Sequence, residues 1–411
     1  MSSVFFGLSM EKQSSYNYTI VGAGASGLWL ANALLKQGLL EANTLCIVES
    51  DAHKANDRTW CYWATEPISP VETVSKAWRS IFQLNMSSHA KNLTPYSYYH
   101  VRSADFYSQL KSKLSECPAI YWHDEDVIEV NDLTSQVEVK TATETWQSDG
   151  IFLSALPRSS SNQADYKLAQ QRYLKTPLSA KPELFLWQSF VGWRVKTAQK
   201  VFDESSMSMM DFNVAQGNYT QFMYELPYSS TEALVEMTRF GEKKLSIPEA
   251  EEELRNYMDR KGCSYKINEV EIGAIPMTPQ FDMHRKYLSP KERIIYIGTL
   301  GGAIKPTTGF GFKRMHAYSE KLAKALKEGS TLPTMHRPYR FRLYDVLLLR
   351  ILQNQPHRGK EIFEQLFRTQ PIHRILRFLD EETTFVEEIA IFSRLPIRLF
   401  LRSLLDHLSG R

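Results

Sequence analysis

The chain has 411 residues, is 43% hydrophobic, and sets 49 lysines and arginines against 46 aspartates and glutamates for a formal charge of +3. That length exceeds one compact core and points to two intertwined or successive domains, while so small a charge argues against a nucleic-acid partner. The four cysteines (Cys46, Cys61, Cys117 and Cys263) form no CxxC pair and the ten histidines no HExxH spacing, which argues against a metal site and fits a reducing compartment.

Residues 1–15 carry an apolar patch but no basic region or cleavage site after it, and read as a flexible extension. Tyr16–Val21 is a short β-branched and aromatic strand, followed by a glycine-rich turn and an apolar helix over about Ala25–Leu35. Thr44–Glu49 is a second buried strand, so the chain opens on a βαβ unit. Ser103–Leu114 has helical spacing with Ser103 as N-cap, and alternating strands follow near Val127–Thr141. From about Pro177 to Glu271, long alternating segments such as LFLWQSFVGWRV predict an antiparallel sheet. The buried-strand pattern returns near Arg293, and beyond about Leu332 the chain reads as helical and rich in leucine and arginine. No apolar run approaches the roughly 20 residues of a spanning helix.

The expected fold class is α/β: a doubly wound, Rossmann-like nucleotide-binding domain with an inserted antiparallel substrate domain and a helical C-terminal region. The expected division is 16–160 and 281–331 for the nucleotide-binding part, 161–280 for the insert and 332–411 for the helical tail.

Two motifs carry this reading. VGAGASG places Gly22, Gly24 and Gly27 in GxGxxG spacing between strand and helix, where they give a tight turn, close backbone approach to a pyrophosphate and helix–strand packing. Glu49 ends the second strand, where a carboxylate binds a ribose hydroxyl pair. This motif alone leaves NAD and FAD open. The second, IGTLGGAIKPTTGFGF, follows a strand far from the first. Its glycines (Gly298, Gly301, Gly302 and Gly309) admit a flat ligand, and a helix start near Pro306–Gly309 offers free N–H groups to the edge of a flavin.

With these segments, the sequence resembles the FAD-dependent lycopene cyclases of bacteria and plants over nearly its whole length. NDRTWCYW resembles their Asn-His-Thr-Trp segment, with Arg58 in place of the histidine. MMDF (Met209–Phe212) resembles a Met-Asp-aromatic segment, and YELPYSSTEALVEMT the stretch ending in Phe-Leu-Glu-Glu-Thr. GAIPMTP resembles an Ile-Pro-Met turn, and the second glycine block their Gly-Thr-Ala-Gly-Gly…Pro-Ser/Thr-Thr-Gly-Tyr segment. The resemblance implies that Arg58, Thr308 and Gly309 join the other glycines and Glu49 at the cofactor, and that Glu236 and Asp211 are the catalytic candidates. Met237 stands where the family has a second acid, which leaves Glu236 alone. Thr299 stands where many flavin hydroxylases have an aspartate. A second acidic string, FLDEET (Phe378–Thr383), lies in the helical tail without the Leu-Pro-Tyr-Ser context and is set aside.

The implied reaction is a proton-initiated isomerisation of the acyclic ends of lycopene or a related carotene to β-ionone rings. Reduced FAD serves as a non-redox cofactor, with NAD(P)H as its reductant. Two other readings stay open: a flavin monooxygenase or other oxidoreductase on an apolar isoprenoid, and a non-catalytic pigment- or flavin-binding protein. Trp60, Tyr62, Trp63, Trp187, Trp193 and Tyr224 are aromatic faces available to a cation. On a strand, Glu236 shares a face with Leu234 and Thr238, opposite Ala233, Val235 and Met237; from alternation alone that is a solvent face. The tail segment PIRLFLRSLLDHLSG sets Ile397, Leu401, Leu404, Leu405 and Leu408 on one stripe, with Arg394, Arg398 and Arg402 every fourth residue. Such a helix either docks on its own protein or lies on an anionic membrane. The expected location is cytoplasmic, on the membrane face.

Overall fold

A computed structural model describes residues 14–51, 56, 58–68, 73–82, 90–157, 184–289 and 291–409. Among these, the opening strand Ser15–Val21 pairs in parallel with Leu45–Val48 on one side and with Thr145–Leu153 on the other. Ile120–His123 extends the parallel set beyond Leu45–Val48. Thr145–Leu153 is nine residues long, and its two halves serve different partners. Its first half takes the antiparallel strand Val137–Lys140, itself paired with Glu129–Asp132, and its second half takes Ile294–Tyr296 in parallel. The chain therefore returns to its first sheet after a long excursion, as the sequence pattern predicts.

The helix Ala25–Lys36 buries ten of its residues, from Ala25 through Leu34, and packs against Phe312–Glu328 and Ser103–Ser115. Trp29 is its largest contribution, in ring contact with Phe106 and Phe312. Each such side chain stabilises the fold by about 1.5–3 kcal/mol. The turn before this helix is sterically determined. Gly22 has φ +96°, and a Cβ on Gly27 would stand 2.1 Å from the Gly22 carbonyl oxygen, inside any van der Waals contact.

A second sheet runs in the order Tyr265–Met277, Leu186–Thr197, Glu232–Gly241, Thr220–Ser229, Ser206–Asp211, Ser80–Ile81 and Lys91–Asn92. The last two strands come from the part of the chain assigned by sequence to the nucleotide-binding portion, so the chain visits the second sheet before residue 160. A third, smaller sheet joins Thr59–Ala64, Ser97–Arg102 and Val74–Trp78. One face of the second sheet (Val191, Trp193, Val235 and Met237) packs under the helix Ile247–Asp259 through Leu254 and Met258. The alternation in this region conceals that helix, although Ser246 and Glu249 form a capping box with Pro248 in the first turn.

Two helix starts differ from expectation. Ser103 is the first helical residue and not the cap; its hydroxyl accepts the Arg58 N–H at 3.0 Å. The second glycine segment is a run of turns, and its helix begins only at Phe312, after Gly311. The tail is helical over Tyr339–Asn354, Gly359–Thr369, Ile372–Leu379, Phe385–Phe392 and Ile397–Leu408.

Because the Gly27 contact is backbone to backbone, nothing flexible is present to yield. Gly27→Ala is expected to cost about 2–3 kcal/mol, at the upper end of overpacking effects, as a shift of the urea midpoint at unchanged slope.

Candidate active site

Between the two sheets lies a cavity of about 560 Å³. At one end it is bounded by Gly24, Ala25 and Ser26 of the first turn and by residues 298–300 and 307–312 of the second glycine segment. The far wall is the inner face of the second sheet, and Phe363, Leu366, Phe367, Ile375 and Leu379 of the tail helices close it. The two glycine turns, about 270 residues apart in sequence, meet directly: Gly298 has φ +62°, and a Cβ built on it would stand 3.2 Å from the Ser26 Cβ.

The nucleotide end shows open valences. No protein atom lies within 4 Å of a Cβ built on Gly24, so nothing in the protein itself requires glycine there. The Ser26 hydroxyl and the Gln188 Oε1 are buried on the lining without a hydrogen-bond partner among the described residues. The helices starting at Ala25 and Phe312 both lack a side-chain cap, leaving their first N–H groups and positive dipole ends toward the cavity. Glu49 is buried beside the first turn, where its carboxylate accepts the Ala23 N–H at 2.8 Å. It does not line the cavity itself. Arg58 does so from its exposed rim. Thr308 and Gly309 are on the lining, whereas Gly301 packs on the Tyr296 carbonyl and Gly302 on that of Phe281.

The second segment is held from beneath by buried ions. Lys305 pairs with Asp345 at 3.1 Å and Glu381 at 3.3 Å, and the Thr307 hydroxyl donates to Asp345 at 2.6 Å. Arg337, also buried, bonds Asp282 at 2.9 Å and reaches both Asp345 and Glu381. This accounts for the FLDEET string: Glu381 belongs to the ion cluster, Asp380 pairs with Lys313 at 2.7 Å, and Phe378 packs on Phe341 and Tyr344.

Glu236 lies on the cavity side of the second sheet, on the face predicted from alternation, and that face is not solvent. It is buried beside Phe190, Phe222, Tyr224 and Phe240, with Thr238 donating to its Oε1 at 2.9 Å. Burial, together with the nearby charge of Glu271, pushes its carboxyl up to about 8, against the pull of the Thr238 hydroxyl. It therefore holds its proton at neutral pH. Asp211 is not brought to this point. It is buried at the end of Ser206–Asp211, off the cavity lining, and accepts the Asn213 N–H at 2.9 Å in a local turn. Of the aromatic candidates, Trp60 and Tyr224 line the cavity. Tyr62 stacks on Tyr99, Trp63 packs edge-on to Phe310, Trp193 lies under the helix Ile247–Asp259, and Trp187 faces Lys244.

Met237 points away from the cavity into the apolar cluster beneath that helix, where a second carboxylate would have no partner. The second acid comes instead from another strand. Gly192 is paired across the sheet with Glu236 on one side and Glu271 on the other, and directly opposed residues share a face. Glu271 lines the cavity, and its carboxylate accepts both the N–H (2.9 Å) and the hydroxyl of Thr59. Its one local signal is the alternation Glu269, Glu271 ahead of Ile275, Pro276 and Met277, which end the strand Tyr265–Met277 and do not form the turn expected from sequence; the pairing itself is set by register.

The sequence model of the family described as "Lycopene cyclase protein" matches residues 18–405. A lycopene beta-cyclase of Pantoea ananas is 28% identical over 141 residues, which are 33% of this chain and 36% of that protein, so the match spans only about a third of the relative. Solved structures share the fold. A flavoprotein/dehydrogenase from Cytophaga hutchinsonii matches with TM-score 0.57 at 10% identity, over 97% of this chain and all of that one. A geranylgeranyl bacteriochlorophyll reductase-like protein from Thermoplasma acidophilum matches with 0.55 at 12%, over 96% and 99%. The probable FAD-dependent monooxygenase PqsL from Pseudomonas aeruginosa matches with 0.56 at 12%, over 88% and 99%.

A carboxyl raised in the folded state keeps its proton after the unfolded chain has lost it, so its contribution to stability falls as pH rises from about 4.5 to about 8. Glu236→Gln removes this dependence. By thermal melting, the variant is expected to match the parent near about pH 5 and to melt higher near about pH 9.

Proposed function

Because this chain belongs to the lycopene cyclase family, we propose that it closes β-ionone rings on the acyclic ends of lycopene or a related carotene, with a flavin bound at the two glycine turns. The observation that carries this reading is a carboxyl, Glu236, buried inside an aromatic-walled cavity with a second carboxyl, Glu271, on the same face across Gly192. An alkene is a weak base, and it is protonated only by an acid from which water is excluded.

The residues present fit a dinucleotide-linked flavin. The turn Gly22–Gly27 and the first helix start suit a pyrophosphate, and Glu49 stands at the first turn for a ribose. Residues 298–312, with the unpartnered Gln188 and Ser26 oxygens, suit a polar ring system. When bound in its reduced state, with NAD(P)H as the source of electrons, the flavin supplies negative charge for a cation to lie against. The chain's own residues supply the remainder. Glu236 gives its proton to the terminal double bond, and Trp60, Phe190, Tyr224 and Phe310 offer π-faces to the tertiary cation. The cavity wall holds the internal alkene close enough to attack. Loss of a ring proton ends the step, with no net change in atoms or electrons.

Access to a hydrocarbon substrate calls for a membrane surface, and the tail supports one. The helix Ile397–Leu408 docks on the protein through Phe400 and Ser403, with Leu404 half-buried. Its other stripe, Ile397, Leu401, Leu405 and Leu408, is at least 50% exposed, beside exposed Arg394, Arg398 and Arg402. Phe385, Val386 and Ile389 of the preceding helix are exposed as well. Among the described residues no helix is long and apolar enough to cross a membrane. We place this face on the surface of an anionic bilayer.

Expression in bacteria that accumulate lycopene is expected to convert the pigment to cyclic products, read by chromatography. Unchanged lycopene beside folded, flavin-loaded protein defeats the reading, and consumption of NADPH and oxygen in proportion to product favours an oxygenase instead. Glu236→Gln is expected to lose at least about a hundredfold in rate. Leu401→Asp with Leu405→Asp is expected to weaken sedimentation with phosphatidylglycerol vesicles while leaving the melting temperature unchanged.

A further inference from the structure

Glu271 does more than share a cavity with Glu236. It and Thr59 also line a second cavity, of about 330 Å³, farther along the same sheet face toward Arg194, Leu234 and Glu269. Charged and polar groups of Arg102, Arg194, Glu269, His100, Tyr228 and Asn56 gather around this second space, with Leu234 and Val270 completing its lining, and its arginines are exposed enough to meet water. Glu271, itself half-buried, thus stands at the partition between an apolar chamber and a wet one. The strand Leu186–Thr197 lies between the two carboxyl-bearing strands, and its residue opposite both glutamates is Gly192. Strand spacing puts the two glutamate Cα atoms about 10 Å apart, and with no side chain at Gly192 both carboxyls are free to lean together. The Glu236 side chain already covers that glycine, its Cβ and Cγ lying 3.5 Å from where a Gly192 Cβ would be.

We propose that Glu271 is the proton partner of Glu236, exchanging protons between the polar cavity and the acid that starts cyclisation. This rests on the reading of Glu236 as proton donor. In each turnover Glu236 gives one proton to the alkene carbon, a carbon–carbon bond closes the ring, and one proton leaves the ring cation for the carboxylate pair. The pair begins and ends with one proton, and no electrons are exchanged. Glu271 exchanges that proton with solvent through the polar cavity between turnovers. The groups that face it and set its charge are Glu236 across Gly192, Glu269 on its own strand, Arg194 on the middle strand, and His100 and Arg102 on Ser97–Arg102. Tyr228, and Arg58 and Cys61 beside Thr59, complete the set. Burial and the two arginines hold His100 down at about 3, so it stays neutral and does not compete for the proton.

The test is cyclisation in heavy water by the flavin-loaded enzyme on lycopene in phosphatidylglycerol vesicles, with deuterium in the product read by mass spectrometry. The parent is expected to place one solvent deuterium in each new ring. Glu271→Gln preserves the size of the side chain and an acceptor for the Thr59 N–H, so it separates relay from structure. It is expected to slow turnover by about tenfold or more, to return substrate-derived protium to the product, and to move the alkaline limb of the pH–rate profile to lower pH as a like charge beside Glu236 is lost. Glu271→Asp is expected to restore the deuterium. Full deuterium and an unmoved alkaline limb in Glu271→Gln overturn the relay while leaving ring closure by Glu236 intact. No ring formation by the parent overturns the functional reading itself. Infrared titration of the carboxylic-acid carbonyl band keeps the pair testable without turnover: an identical band midpoint in the parent and Glu271→Gln overturns the coupling.

Discussion

A carboxyl removed from water into an apolar space must either ionise at great cost or keep its proton, and the structure around Glu236 is organised by that choice. Every group placed against it favours the protonated form or is too weak to oppose it. Phenyl rings replace solvent, Glu271 adds a like charge, and only the Thr238 hydroxyl pulls the other way. Even the polar neighbours stay neutral: burial pushes the Cys61 thiol up to about 12 and the Tyr98–Tyr224 hydroxyl pair far above the ordinary phenol value. The second sheet makes this environment affordable by burying both of its faces, one under a helix and the other around the cavity.

The opposite end of the cavity presents the complementary chemistry. There the backbone supplies positive dipole ends and unsatisfied oxygens where side chains are short or absent, as a large anionic, ring-bearing ligand requires. The second glycine segment has little regular structure of its own, and its shape depends on ions beneath it. Lys305 and Thr307 within the segment are tied to Asp345 and Glu381 of the tail, with Arg337 bridging both acids to Asp282. Taking away one member of such a network strands the others in a dry interior. The helical tail is therefore part of the site: it clamps the second glycine segment, walls the cavity with Phe363 and Phe367, and carries the exposed leucine stripe.

Fold and chemistry are separable here. Reductase-like, dehydrogenase and monooxygenase structures share this architecture at 10–12% identity, so the fold alone does not select a reaction. On the cavity-facing side of this chain's second sheet, the carboxyls of Glu236 and Glu271 meet aromatic walls.

Much of this was legible in the sequence because it is local. Glycine spacing sets a turn within six residues, a buried strand announces itself by composition, and alternation told which way Glu236 faces. What lies beyond that face is not local. Alternation reads as solvent whatever stands opposite, and here it is a cavity closed by helices more than 100 residues away. Asp211 looked equivalent to Glu236 as a motif residue, but its carboxylate is taken by the Asn213 N–H. Glu271 looked ordinary until register set it across Gly192 from Glu236. The sequence by itself determined the two glycine turns, the parallel opening unit and the antiparallel insert, since each follows from short-range sterics or side-chain period, and it singled out Glu236 through the family resemblance and not through its alternation. Tertiary structure alone decided which acids share a cavity and which are spent in ion pairs or turns, because strand register and helix packing bring together residues that no periodicity connects.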